Sequence, residues 1–565
     1  MKKSISLSKL CVLVIILMTG LFPALAADFM VDSICYNIIG DNAVEVTSRG
    51  TDKYRGVIAI PATVVQDGIT YQVTRIGDNA FSSCSELTLI DLPEGITSIG
   101  TNAFYYCRGL EAVEFPASLV SIGQLAFYDC KQITTLNITR NVTDIMWGAF
   151  NNCTGLKSIT CSPFNPTFRA VDGILYNKDM TTLMLYPKAA QATSFSVPES
   201  VTGLGAYSFQ NCDNLQEINI HDGVTWLGRD VFWQCDGIES MILPDGITQM
   251  GKGTFSSCTK LAYVHLPAAV DSLDDTFSLC PVLREIVIPR NVKYIGKFTF
   301  YEATGLESIT FEEGSSLMTI DEVAFANCRS LKSFDMPNSV TTVNYDAFQD
   351  CVSLKSIHLS DNLTNLANAV FWECSSLTEI EIPNSVVSIR NGLLFSCSSL
   401  KTLKIGDKYG IPGHTTFERS SVYAESLERI ELGANISSLV ESTFSLLPNL
   451  KVFICWGIVP PDCDGGGSVG FNVPYNSAVL YVPKASLEAY STATEWKKFK
   501  TIVPIEDVGD VNGDGLINIS DVTALVDLLL GGETDRTAFC DVNLDGSVNI
   551  SDVTVLVDLL LSGGN

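Results

Sequence analysis

The sequence predicts a solenoid of short parallel strands with β caps, followed by a small α-helical domain made from a duplicated motif. Three observations carry this reading. Phe81, Phe104, Phe127 and Phe150 lie 23 residues apart, and so do Cys84, Cys107, Cys130 and Cys153. After an interruption the Phe anchor returns at Phe209, Phe232, Phe255, Phe277, Phe300, Phe325, Phe348, Phe371, Phe395, Phe417 and Phe444. Residues 508–565 lose this period and repeat a motif of their own.

A fixed period in this range signals stacked repeats. A 23-residue unit is too short to close a hydrophobic core alone. Stacking buries the Leu, Ile and Phe of each unit against the next. The full unit is I-G-x-x-A-F-x-x-C-x-x-L-x-x-I-x-Φ-P. Within it, L-x-x-I-x-Φ reads as a strand, as in Leu110 to Phe115, Leu283 to Ile288 and Leu377 to Ile382, paired in parallel with its neighbours. The Pro that often follows (Pro93, Pro116, Pro244, Pro267, Pro289, Pro337, Pro383) cannot donate a ladder bond and ends the strand. Over roughly residues 76–456 this signature resembles the BspA-type leucine-rich repeat family of surface proteins. The resemblance implies a curved leucine-rich-repeat solenoid used for binding, without catalytic residues.

Both ends of the array need covering, because a bare end exposes apolar surface and strand edges. Residues 27–75 read as a few β-strands forming an N-terminal cap. Residues 161–195 interrupt the array. There Val171 to Tyr176 and Thr182 to Pro187 flank Asn177-Lys178-Asp179 and read as a hairpin. Residues 457–507 read as a C-terminal cap, with a flexible Gly465-Gly466-Gly467 loop, a strand at Val479 to Pro483 and a helix from Ala485 to Lys500.

Residues 1–26 read as a secretory signal. Lys2, Lys3 and Lys9 form the charged region, Leu10 to Phe22 the apolar core, and Ala24-Leu25-Ala26 the cleavage site. Loss of three Lys takes the net charge from −27 to about −30 in the mature chain, which has no transmembrane segment. That charge argues against nucleic acid and anionic lipid as partners. It suits a secreted or cell-surface protein. Cysteines in an exported protein suggest disulfides, yet twelve of the 18 hold one repeat position: Cys84, Cys107, Cys130, Cys153, Cys212, Cys235, Cys258, Cys280, Cys328, Cys351, Cys374 and Cys397. Ala303 and Ser420 replace Cys there and cannot bridge, so a buried column of free thiols is expected. Disulfides stay open for Cys35, Cys161, Cys455, Cys463 and Cys540, with Cys455 and Cys463 close enough in sequence to pair.

The last domain begins each half with D-x-N-x-D-G-x-x-N-x-x-D. Oxygen donors at positions 1, 3, 5, 7, 9 and 12, with Gly at 6 for the turn, suit Ca²⁺. The donors are Asp510, Asn512, Asp514, Leu516 (carbonyl), Asn518 and Asp521 in loop one. In loop two they are Asp541, Asn543, Asp545, Ser547 (carbonyl), Asn549 and Asp552. Two Ca²⁺ ions are expected. Helices are expected at Val522 to Leu530 and Val553 to Leu561. Asp at position 12, with no helix-forming segment directly before loop one and a duplicated motif, resembles a type I dockerin. That resemblance implies a cohesin-type scaffold or surface protein as partner, recognised through Ile519-Ser520 and Ile550-Ser551. Their identity in both halves suggests a two-fold, reversible mode. The competing role is a calcium-stabilised tail.

No zinc-protease, C-x-x-C or phosphate-loop motif appears. Gly466 to Gly470 matches G-x-S-x-G but lacks the strand and helix that a nucleophile elbow needs. His221, His265, His358 and His414 are scattered, so the chain reads as a non-enzyme. Two surfaces could hold a host or microbial protein or a glycan. One is the strand face, with Asp91, Glu114 and Asn137 early, Ile242, Tyr263, His265 and Val287 in the middle, and Lys404 and Arg429 late. The other is the residue after the anchor, where Tyr105, Tyr128, Trp233, Tyr301 and Trp372 stand, with the bland alternative that these rings pack between turns. The reading is an adhesion or binding protein that docks through its C-terminus. The alternative is a glycan-binding accessory subunit of a polysaccharide-degrading, cellulosome-like complex.

Overall fold

The computed structural model describes residues 27–410, 415–417, 422, 424–439, 443–444, 447–463, 473–531 and 538–562. The signal segment 1–26, His414, Ser420, the Gly465–Gly467 loop and the G-x-S-x-G stretch lie outside these residues. The chain divides into two compact units, one of Met1–Thr193 with Ser200–Asn214, the other of Ser194–Glu199 with Leu215–Asn565. Each contains parallel β-solenoid turns of about 23 residues.

In the first unit, Phe29–Val31, Ile34–Gly40 and Ala43–Thr47 form an antiparallel meander. Ala43–Thr47 then pairs in parallel with Ile69–Ile76, which starts the repeat ladder. The L-x-x-I segments give short strands, such as Leu87–Asp91 and Thr135–Ile138. A second ladder, absent from the sequence reading, runs through the I-G positions: Ser98–Ile99, Ser121–Ile122 and Asp144–Ile145 pair in parallel. Two-residue strands fall below the length at which alternation can be recognised. A third set of inter-turn bonds runs through the A-F corner. Phe81 N donates to Ala103 O at 2.7 Å, and Phe104 N to Ala126 O at 2.7 Å.

That corner requires left-handed backbone at the residue before each Cys: Tyr106 (φ 60°), Asp129 (φ 63°) and Asn152 (φ 59°). The turn makes the anchor rings stack, with Phe81, Phe104 and Phe127 at centroid spacings of 5.0 and 4.8 Å. The insertion is a three-stranded antiparallel meander of Phe168–Val171, Ile174–Asn177 and Thr182–Leu185. The run Val171 to Tyr176 is therefore two strand ends, not one strand. Asp172 (φ 50°) and Gly173 (φ 79°) turn the chain between them, the backbone a two-residue hairpin needs.

In the second unit the same ladders recur, and Phe255, Phe277, Phe300, Phe325 and Phe348 stack at 5.0–5.7 Å. The last sheet runs Glu379–Ile382, Thr402–Ile405, Arg429–Leu432, Val452–Cys455, Val479–Val482 and Thr501–Pro504, all parallel neighbours. The single helix expected over residues 485–500 is broken. α1 (Leu487–Thr492) ends at Ala493, which is extended, and a 3₁₀ turn follows at Trp496–Lys498. Tyr490 and Trp496 are both buried. Six residues apart, they would leave different sides of a continuous helix, so the break lets both reach the core.

The C-terminal module contains α2 (Ile519–Gly531) and α3 (Ile550–Leu561). Both begin three residues before the expected starts. For α3 the reason is a capping box: Asn549 accepts from Ser551 N, and Asp552 accepts from Asn549 N. Leu525, Cys540 and Leu556 form the module's core. All described cysteines are free thiols, so Cys455 and Cys463 are not paired. Among the described residues no helix is long and apolar enough to cross a membrane.

Candidate functional site

The two loops of the module share most of their internal hydrogen bonds. In loop one, Asp510 accepts from Gly513 N, Asp514 N and Gly515 N. Asn512 accepts from Asp514 N, and Asp514 from Leu516 N. Asp521 is fully buried and accepts from Val511 N, Asn512 N and Asn518 N. In loop two Asp541 accepts from Asp545 N and Gly546 N, and Asp552 from Asn543 N and Asn549 N. Asn518 and Asn549 reach the carbonyls of Leu516 and Ser547. Each loop thus curls around its position-1 and position-12 carboxylates.

Among the described residues, no three His, Cys, Asp or Glu groups already converge as a metal cage. The donor chemistry nevertheless fits a hard dication. Asp541 is pushed up to about 6, first by burial and then by the like charges of Asp552 and Asp545. Buried carboxylates that repel one another in this way are stabilised by a bound cation.

Ile519 and Ile550 are 71% and 72% exposed, so both expected contact positions face solvent. Ser520 and Ser551 are held by the loops instead. Each donates to the position-9 Asn and accepts from the position-3 Asn.

On the strand face, Ile242 (69% exposed), Tyr263 (49%) and Val287 (55%) are open apolar side chains. Ile242 stands opposite His265 across the Ser240–Ile242 and Tyr263–His265 strands. Tyr263, His265 and Val287 line one recess of about 190 Å³ with Glu285 and Glu312. His265 faces Asp245 at 3.7 Å; His358 pairs with Asp335 at 3.0 Å, and His221 with Pro198 O at 2.9 Å. The rings after the anchors are half-buried. Tyr105 and Tyr128 stack at 4.9 Å with 19° between planes, and Tyr106 meets both edge-on. Burial pushes the Tyr128 phenol up to about 12. Trp233 is also half-buried, and Trp372 packs on Phe395 at 4.6 Å.

Residues 67–170, 185–300, 273–401 and 318–451 match the BspA type leucine-rich repeat region, in six copies. The chain belongs to the BspA-type leucine-rich repeat family. Its residues 508–561 match the dockerin type I domain. No curated protein matches the chain significantly. Similar solved structures include a leucine-rich repeat protein from Eubacterium ventriosum, 26% identical over 57% of this chain and 93% of that one, with a TM-score of 0.46. A leucine-rich repeat protein from Bacteroides ovatus is 24% identical over 76% and 94%, TM-score 0.39. A leucine-rich cell surface protein from Faecalibacterium prausnitzii is 21% identical over 58% and 94%, TM-score 0.33.

The BspA-type solenoid and the dockerin are families of non-catalytic binding modules. Dockerins of type I bind calcium and imply a cohesin-type partner, and proteins built from these families are typically extracellular or surface-exposed. Sequence reasoning missed a set of residues where the solenoid meets the dockerin. Arg429, expected on the open strand face, instead donates to Leu544 O, and Tyr481 OH donates to Ala538 O at 3.1 Å. The signal was present: VFIC at Val452–Cys455 and VLYV at Val479–Val482 are apolar throughout, the composition of strands covered on both faces.

Proposed function

We propose that this BspA-type protein is a secreted or surface-held, non-catalytic binding protein, with a solenoid that grips a protein or glycan ligand and a dockerin that attaches it to a cohesin. In this reading residues 1–26 direct export, residues 27–75 and 457–507 cap the repeats, and residues 508–565 are the docking domain. Asp510, Asn512, Asp514, Asn518 and Asp521, with the Leu516 carbonyl, hold one Ca²⁺. Asp541, Asn543, Asp545, Asn549 and Asp552, with the Ser547 carbonyl, hold a second. Ile519-Ser520 and Ile550-Ser551 face the cohesin. Ile242, Tyr263, His265 and Val287 form the centre of the ligand face.

The observation that carries the docking reading is the duplicated loop, with the same oxygen positions, the same position-1 bond to the turn glycine and an exposed Ile in both copies. The test is capture from the source organism's surface and secreted proteins by the full chain, in calcium and in chelator. A cohesin-bearing protein should be retained in calcium only, and lost with Ile519→Asp/Ile550→Asp. Capture unaffected by chelator would refute calcium-dependent docking. For the ligand face, Ile242→Glu/Val287→Glu should abolish adhesion to the ligand-bearing cell or polymer while leaving cohesin capture intact.

The dockerin also favours a second reading, an accessory glycan-binding subunit of a polysaccharide-degrading assembly. The stacked Tyr105 and Tyr128 would then contact sugar rings. Retention on insoluble polysaccharide, lost with Tyr105→Ala, would select it.

A further inference from the structure

Along the solenoid the strands alternate between buried and open side chains, as in Glu285–Ile288 and Glu379–Ile382. At the C-terminal end the alternation stops. Every residue of Val452–Cys455 is buried, and so are Leu480, Tyr481 and Val482. Something covers the open face there, and it is the chain's own dockerin. Val452, Ile454, Tyr481, Val503 and Val508 form one apolar cluster with Ala538, Phe539 and Leu544. Polar contacts frame the cluster. Arg429 donates to the carbonyls of Leu544 and, at 3.4 Å, Asn543, while its other Nη bonds Glu431 at 3.1 Å. Tyr481 OH donates to Ala538 O. Gly546 lies so close to the sheet that a Cβ there would come within 2.7 Å of Lys451 Cβ.

The two loops differ at position 4 in a way that matches this contact. Loop one has Gly513 at φ 73°, with open space around it. Loop two has Leu544 at φ 55°. A side chain resists that backbone conformation. Here the half-buried Leu side chain packs against the apolar cluster, and that burial offsets the strain. Leu544 also lies between Asn543 and Asp545, two of the proposed calcium donors, so its direction follows from closure of the loop.

We propose that the second calcium loop doubles as a clamp, seating the dockerin on the strand face of Val452–Cys455, Val479–Val482 and Thr501–Pro504 through Leu544 and Arg429. Calcium in that loop keeps the face covered; this part rests on the calcium reading above. Loop one faces solvent, so the loops have different roles despite their shared motif. Withdrawal of calcium opens loop two, releases Leu544 and uncovers Ile454, Tyr481 and Val503.

Leu544→Gly separates seating from metal binding, because Gly is at ease at this φ, as Gly513 is in loop one. The full chain is measured by calorimetric calcium titration, small-angle X-ray scattering and uptake of a dye that fluoresces on apolar surfaces. For the natural chain, chelator should raise dye fluorescence several-fold and enlarge the radius of gyration, and calcium should reverse both. Leu544→Gly in calcium should keep the natural calcium stoichiometry but show the dye uptake and radius of the chelated protein. Arg429→Ala should shift both readouts in the same direction. A Leu544→Gly chain that stays compact and dark in calcium would overturn the clamp. So would a natural chain that binds and loses calcium without changing either readout. Failure of the natural chain to take up calcium at all would instead refute the calcium reading, and with it calcium control of the seat.

Discussion

The thiol of Cys374 donates to the carbonyl oxygen of Phe348, one repeat earlier, at 3.2 Å. The same bond joins Cys107 to Phe81, Cys130 to Phe104, Cys258 to Phe232 and Cys351 to Phe325. The repeated cysteine is thus a small donor that satisfies a buried carbonyl between turns. Burial pushes the thiols of Cys153, Cys212, Cys280 and Cys397 up to about 12. These thiols should resist an aromatic disulfide reagent at pH 8 in the folded protein and react only in denaturant. Cys374→Ala, which leaves the Phe348 carbonyl without this donor, should cost about 1–2 kcal/mol in denaturant unfolding.

Phe325 lies between the rings of Phe300 and Phe348, at 5.0 and 5.1 Å, with Phe334 edge-on at 5.2 Å. Phe325→Ala should remove about 3–5 kcal/mol. Because turns are stabilised by their neighbours, the loss should appear as fast hydrogen exchange in the adjacent turns while the first strands at Ile34–Thr47 stay protected.

Val323 adopts φ 59°, a conformation that a β-branched residue strongly disfavours. Asn is at ease there, and Asn327 (φ 63°) already occupies another corner of the same turn. Val323→Asn should therefore stabilise the protein by about 1 kcal/mol, read as a higher denaturant midpoint.

Buried Asp346 is pushed up to about 6, first by burial and then by Asp350 and Glu322. Its folded pKa lies above the unfolded value near 4, so the folded chain binds more protons between about pH 4 and 6. Its contribution favours folding at low pH and is lost as pH rises through 6. Asp346→Asn should stabilise the protein at pH 7 by roughly 1 kcal/mol and flatten its stability profile across this window.

How much of this was legible follows from what each residue has to do. The Phe and Cys period exposed the solenoid because every turn must bury the same side chains in the same place. The dockerin module was legible because its duplicated loop motif fixes residue type and spacing together. The I-G ladder was hidden by its length, since Ser98–Ile99 offers two residues and no alternation. The left-handed corners were hidden because Tyr106, Leu125 and Val323 carry no glycine signal; inter-turn bonds impose their backbone. Leu544 stands where loop one has Gly513, and the motif alone gives no reason for the difference. Its reason lies on the strand face, at Arg429 and Tyr481, more than fifty residues away in sequence.

The bonds from Phe81 N to Ala103 O and from Phe104 N to Ala126 O run from turn to turn, and so do the strand ladders. Tension applied along such a stack loads these rows one after another rather than all together. A single turn can then peel away while its neighbours hold. Each released turn lengthens the chain by roughly 75 Å, the reach of 23 extended residues less one strand spacing. A protein that tethers one surface to another through such a stack would yield in small steps under pull, dissipating work at each one instead of snapping free.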